Sequence, residues 1–303
     1  MKTKRRSLLD IESLAPKEIT ALLRLARRMN PAKPRPLLRR KRVVLLFYEA
    51  STRTRVSFEF AAQALGATTS VVHAEASSIE KGESLLDTGY TLRALGADLI
   101  VIRHPAAGAP HLLARHLGIP ILNAGDGAHE HPTQGLLDIY TIREKYGKVE
   151  GLRVVIVGDI YHSRVARSNV HLLSKFGAQV TLCGPPEMAP EIAATLAPGV
   201  RVTRHFDEAL RGADVLSMLR VQRERLAGRQ IKVRDYIAGY QLTPERLRLA
   251  RRDALVLHPG PIIRGMEITG EVADGPQSLI REQVANSVAV RMAIMARALG
   301  AAP

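Results

Sequence analysis

Residues able to do chemistry gather first at Ser51-Thr52-Arg53-Thr54, where three hydroxyls and a guanidinium occupy four consecutive positions. The run follows a short β-branched and aromatic stretch, residues 43–48. It precedes Val56, Phe60 and Ala64, which recur at helical spacing until Gly66. That order places the run between a buried strand and the start of a helix. The first amides of a helix lack intrahelical partners and sit at the positive end of its dipole. Hydroxyls, amides and a guanidinium converging there form a phosphate cradle that needs no glycine-rich loop. Without further context, the same residues also fit an N-capped helix flanked by arginines.

Other candidates fall where strands end. Arg103 closes a strand over residues 97–103, and His131-Pro132-Thr133-Gln134 opens a helix over 133–146. Arg164 follows a Gly158-Asp159 turn, Arg220 follows a strand over 215–219, and His258-Pro259-Gly260-Pro261 follows one over 255–257. Open α/β sheets bind their ligands at such carboxyl ends. Strands over 153–157, 179–183 and 200–203 and a helix over 163–176 complete the alternation. A long helix over 277–299 carries Val284, Val288, Met292 and Met295 along one side. The pattern predicts an α/β fold with mainly parallel sheets flanked by helices. At 303 residues the chain suits two domains. The expected division is 1–135 plus about 285–303 for one and 136–284 for the other. The helix over 133–146 is the expected linker, and the terminal helix is expected to pack back on the first domain.

Composition narrows the function. The net charge of +15 suits anionic substrates. The basic residues are dispersed and not interleaved with aromatics, which argues against nucleic-acid binding. The lone Cys183 makes no internal disulfide, which favours a reducing compartment. The basic start, Met1 to Arg6, meets Asp10 and Glu12 before any apolar segment forms, and no apolar run suits a membrane span. A soluble cytoplasmic protein is expected. The strand-turn-helix after Gly151 lacks the second and third glycines of a dinucleotide fingerprint, and its next strand ends in Cys183-Gly184 instead of an acid. No cofactor is expected. No metal is expected either, because no His/Cys/Asp cluster shows in the sequence; His111, His116 and His129 read as surface residues without a role.

The block Tyr48-Glu49-Ala50-Ser51-Thr52-Arg53-Thr54-Arg55-Val56-Ser57-Phe58-Glu59 resembles, nearly residue for residue, the carbamoyl phosphate signature of the aspartate and ornithine carbamoyltransferases. His131-Pro132-Thr133-Gln134, Arg103 and the loop at His258-Pro259-Gly260-Pro261 match three further family features in the same order. The resemblance implies that Ser51, Thr52, Arg53 and Thr54 hold the phosphate. It implies that Thr54, Arg103 and His131 polarise the carbamoyl oxygen, while Gln134 and the backbone at Gly260 and Pro261 orient the amide.

Ornithine enzymes carry His-Cys-Leu-Pro in the late loop, and this chain has no Cys there. The segment Ser77-Ser78-Ile79-Glu80-Lys81-Gly82-Glu83-Ser84 resembles the mobile loop of the aspartate enzymes. Lys81, Arg164 and Arg220, with Gln222, match aspartate-binding positions; Arg223 and Arg225 compete with Arg220 for that part. The implied reaction moves a carbamoyl group from carbamoyl phosphate to the α-amine of L-aspartate, an early step of pyrimidine synthesis. The resemblance further implies a cyclic homotrimer in which Ser77 and Lys81 reach a neighbour's site. Regulatory chains or other pyrimidine enzymes are conceivable partners. The competing readings are another acceptor such as ornithine, and a non-catalytic scaffold.

Overall fold

The computed structural model describes residues 7–73, 82–221 and 232–301. It divides into two compact units, residues 1–137 with 284–303, and residues 138–283.

Unit 1 opens with α1 (Pro16–Arg28) and then alternates β1 (Arg42–Phe47), α2 (Thr52–Ala64), β2 (Thr68–His73), α3 (Leu85–Ala94), β3 (Leu99–His104), α4 (Ala109–His116) and β4 (Ile121–Asp126). The strands form one parallel sheet in the order β2-β1-β3-β4. Central strands of such a sheet are covered on both faces, so they carry unbroken apolar runs. Val43 to Phe47 and Leu99 to Ile102 are accordingly all buried. The core against one face joins Val44, Leu46, Ile100 and Ile102 to Leu113 of α4 and to Leu117, which caps that helix.

The chain crosses to unit 2 within α5 (Pro132–Tyr146). Unit 2 continues with β5 (Arg153–Val157), α6 (Arg164–Lys175), β6 (Gln179–Cys183), β7 (Arg201–Thr203), α7 (Phe206–Leu210), β8 (Val215–Met218), α8 (Val233–Tyr240), α9 (Pro244–Leu247), β9 (Leu255–Leu257) and α10 (Gly270–Ala273). Its parallel sheet runs β7-β6-β5-β8-β9. The core packs Val155, Val157, Leu216, Met218 and Val256 against Phe206, Ile268 and Ile280.

The chain returns to unit 1 within α11 (Ile280–Ala298), the terminal helix, whose last turn is tied to α1 by Arg297 Nη2 and Glu18 Oε1 at 2.8 Å. Two apolar faces differ from the sequence reading. Val284 is 44% exposed, whereas residues 289–296 of α11 are buried all round. In α2 Phe60 is 55% exposed, and the buried side consists of Thr54, Ser57, Phe58, Ala61, Ala62 and Ala64. Phe58 and three alanines, not Phe60, form the packing face of α2.

Candidate active site

The parallel register brings the unit 1 candidates to one edge of its sheet. β1 runs beside β3 with Phe47 opposite Arg103, and the Tyr48 amide donates to the Arg103 carbonyl at 2.9 Å. β4 lies on the other side of β3, and His131 follows it at the start of α5. The Ser51–Thr54 run, Arg103 and His131 thus leave three adjacent strands at their carboxyl ends.

The start of α2 is unlike the other Ser- and Thr-capped helices. Ser84, Ser163, Thr243 and Thr269 each accept an amide hydrogen bond in the first turn of their own helices. Ser51 makes no such side-chain bond, and the first turn of α2 holds no acidic residue. The amino end of this helix therefore keeps its positive potential open to an external anion. Burial pushes the Arg53 guanidinium pKa down.

Behind this turn lies Arg291 of α11, a buried cation that sequence reasoning missed. Its guanidinium carbon stands 4.9 Å from the centre of the Phe58 ring, a cation–π contact. One of its terminal nitrogens donates to Ser57 Oγ, and Ser57 in turn donates to the carbonyls of Arg53 and Thr54. Burial, with the Arg53 charge added, pushes the Arg291 pKa down to about 9, so it remains charged at neutral pH. Among the described residues, neither Arg53 nor Arg291 has a carboxylate within ion-pair distance. Two half- or fully buried cations beside an uncapped helix start form a site arranged for a multiply charged anion. The one sequence clue to Arg291 was a lone arginine inside the apolar stretch 288–296.

Arg103 is held by Glu49, with Nε to Oε2 at 3.2 Å, so the loop between β1 and α2 supplies its own orienting carboxylate. His131 is buried, and Thr133 Oγ1 lies 3.3 Å from its Nδ1. With that hydroxyl donating, the ring proton sits on Nε2, the tautomer that can polarise a carbonyl oxygen. The Gln134 amide donates to the His131 carbonyl at 2.9 Å, and its side chain is buried in the first turn of α5.

Unit 2 presents its own loops at the carboxyl ends of β5, β8 and β9. Arg164 opens α6 directly after the capping residue Ser163. Arg220 lies half-buried two residues beyond β8. After β9, His258 is fully buried, and both its nitrogens are engaged. Nδ1 accepts from the Gly260 amide at 2.8 Å, and Nε2 faces Glu267 Oε1 at 3.1 Å. The His258 amide donates to Gln283 Oε1, whose Nε2 donates to Asp138; Asn169 of α6 binds the same carboxylate. His258 is therefore a positioning residue that fixes the backbone at Gly260 and Pro261. An open depression of about 450 Å³ lined by Lys148, Arg153, Gln179 and Arg251 lies at the opposite edge, where β5 and β6 begin, away from these loops.

Ser77, Lys81 and Gln222, with Arg223 and Arg225, lie outside the described residues. The structure corrects two readings of histidines. His111 and His129 are half-buried and paired with Asp10 and Asp126; of the three, only His116 is exposed. Together with Asp126 they make a His/Asp cluster, which the sequence did not show because His111 lies 15 positions before Asp126 and joins it only through the fold. Cys183, at the end of β6, has its thiol pushed up to about 12 by burial, which makes it a poor nucleophile.

The family model for the carbamoyl-P binding domain of aspartate/ornithine carbamoyltransferases matches residues 6–144, and that for the Asp/Orn binding domain matches residues 150–298. The chain is 66% identical to the aspartate carbamoyltransferase catalytic subunit of Koribacter versatilis, covering 97% of this chain and 98% of that one. It is 53% identical to the subunit of the same description from Solibacter usitatus, over 97% and 99%. Among solved structures, ornithine carbamoyltransferase from Pyrococcus furiosus superposes with a TM-score of 0.88 at 28% identity, covering 97% of each chain. Aspartate transcarbamoylase from Trypanosoma cruzi, in complex with carbamoyl aspartate and phosphate, superposes at 0.87 with 33% identity, over 97% of this chain and 96% of that one. The two folded units, the anion-ready start of α2 and these full-length matches agree: the chain belongs to the aspartate/ornithine carbamoyltransferase family.

Proposed function

We propose that this chain transfers a carbamoyl group from carbamoyl phosphate to the α-amine of L-aspartate, giving N-carbamoyl-L-aspartate and phosphate. The observation that carries the reading is the uncapped start of α2 with Arg53 and Arg291 beside it and, among the described residues, no carboxylate to neutralise them. Ser51, Thr52, Arg53 and Thr54 hold the phosphate; Thr54, Arg103 and His131 draw charge onto the carbamoyl oxygen. Gln134 and the backbone of Gly260 and Pro261 orient the amide. The neutral amine's lone pair forms a bond to the carbamoyl carbon, and the tetrahedral intermediate then breaks its bond to the bridging oxygen. Phosphate leaves and takes up the proton released by the amine. Catalysis on this account rests on positioning and on donors aimed at the developing oxyanion.

The acceptor is aspartate because Arg164, Arg220 and Lys81 offer cations to two carboxylates, with Gln222 beside them. The Pyrococcus ornithine enzyme is as close in backbone as the Trypanosoma aspartate enzyme, but that likeness measures the shared fold. The late loop here has Pro259-Gly260 where ornithine enzymes carry a cysteine, and the relative at 66% identity is described as an aspartate carbamoyltransferase catalytic subunit. We divide the chain at 1–135 plus about 285–303 for carbamoyl phosphate and 136–284 for aspartate. The active form is proposed to be a homotrimer in which Ser77 and Lys81 serve a neighbouring chain, since the relatives are described as catalytic subunits. Regulatory chains or other pyrimidine enzymes would join that trimer from outside. The lone buried thiol of Cys183 suits the cytoplasm. A steady-state assay with carbamoyl phosphate and a panel of amines tests the reading. Turnover of aspartate supports it, and turnover of ornithine alone overturns it.

A further inference from the structure

Asp10, His111, Asp126 and His129 come from three separated stretches of unit 1 and meet near the carboxyl end of β4. His111, in the first turn of α4, has Nε2 3.0 Å from Asp10 Oδ2. A carboxylate oxygen accepts, so in this contact His111 donates from Nε2. That leaves a bare lone pair on Nδ1, which is buried and has no hydrogen-bond partner. A buried acceptor without a partner is costly and unusual in a folded protein.

His111 stands within a set of metal-binding groups. One donor atom from each of His111, Asp126 and His129 lies within 4.8 Å of the others, and the two imidazole rings stand 5.7 Å apart. The Asp126 carboxylate is itself fixed by the Asn123 side-chain amide and the Gly108 amide, each at 2.8 Å, and by the Glu130 amide at 3.2 Å. The His129 ring donating to Asp126 at 3.1 Å would make an ordinary ion pair of those two residues. That pair alone gives no partner to His111 Nδ1.

We propose that His111, Asp126 and His129 are a three-ligand site for a divalent transition ion of borderline softness, zinc or its cobalt surrogate. Two imidazole nitrogens and one carboxylate oxygen suit such an ion and not calcium or magnesium, which require mostly oxygen donors. Asp10 is the outer carboxylate that fixes the tautomer and orientation of a ligating histidine. Bonds of ~2 Å in a tetrahedron place donors ~3.4 Å apart, so the three groups must close by about an ångström. His129, on a turn with its side chain 35% exposed, is the member free to move. The ion would bridge the start of α4 and the turn leading to His131, bracing that loop without touching the reacting atoms.

The test uses the untagged full-length chain, treated with chelator and titrated with cobalt(II) while its visible d–d absorption is followed. The expected result is one cobalt per chain with a tetrahedral spectrum, displaced by zinc. His111→Ala and His129→Ala should each abolish it, and Asp10→Asn should weaken binding roughly 10- to 100-fold. Circular dichroism checks that each variant is folded; His129→Ala, on a half-buried turn outside any helix or strand, decides the matter if His111→Ala is not. A wild-type chain that binds no cobalt, or a folded His129→Ala chain that binds it as well as wild type, overturns the proposal.

Discussion

Arg53 and Arg291 illustrate how a binding site holds unfavourable charge for later use. In the proposed reaction Arg53 is the charged member of the Ser51–Thr54 run that holds the departing phosphate. Arg53→Ala should lower the rate roughly 10²- to 10³-fold, the usual cost of one transition-state donor; steady-state assays at saturating aspartate measure it. Arg291 stands behind it, buried. Its pKa in the folded chain, about 9, lies well below its ordinary value, so the unfolded chain binds the extra proton between the two. Stability therefore rises with pH across that window, and at neutral pH the buried charge destabilises the ligand-free fold. Replacing a buried cation by a hydrophobic side chain of similar length is often neutral or stabilising. Arg291→Met should thus keep or raise the melting temperature of the ligand-free protein. It should also weaken phosphate binding by roughly tenfold through the lost Coulomb attraction. Calorimetry reads both, and a destabilised variant with unchanged phosphate affinity would make Arg291 a purely structural residue.

At the scale of elements, what the sequence revealed depended on how local the cause was. The strands β1, β3, β5, β8 and β9 are short apolar runs followed by turns, and each was legible within one or two residues of its observed ends. The Ser51–Thr54 run was legible because its chemistry is contiguous. β4 was not: its sequence, Ile-Leu-Asn-Ala-Gly-Asp, buries Asn123 and Asp126, and the Asn123 side chain donates to the Leu9 carbonyl 114 positions away. His111 and Arg291 were missed for the same reason, since their partners Asp10 and Ser57 are distant in the chain. The face of α2 was misjudged because Phe58 and the alanines, and not Phe60, pack inward. Gly158 shows a requirement that sequence hints at and geometry explains. At φ +122° it lies where a Cβ would meet the Leu219 carbonyl at 3.1 Å and the Tyr236 hydroxyl at 3.2 Å. Gly158→Ala should cost about 1–3 kcal/mol of stability and disturb the turn that leads to Arg164. Denaturant unfolding of the full chain measures the first effect, and the KM for aspartate the second.

For the whole molecule, the proposed trimer makes a quantitative claim. If each site combines Arg53 of one chain with Lys81 of its neighbour, Arg53→Ala and Lys81→Ala chains are each inactive alone. Reassociated together at random, about three-quarters of trimers are mixed and each holds one intact site, so roughly a quarter of wild-type activity returns. No recovery, with hybrids confirmed by native mass spectrometry, would place Lys81 in its own chain's site. The central claim, carbamoyl transfer to aspartate, is tested most directly by product. The purified wild-type chain is given carbamoyl phosphate with equal concentrations of L-aspartate and L-ornithine, beside an Arg53→Ala control, and the products are separated by mass. The account predicts N-carbamoyl-L-aspartate from wild type, little from the control, and no citrulline; citrulline as the main product, or no product despite a folded chain, would contradict it.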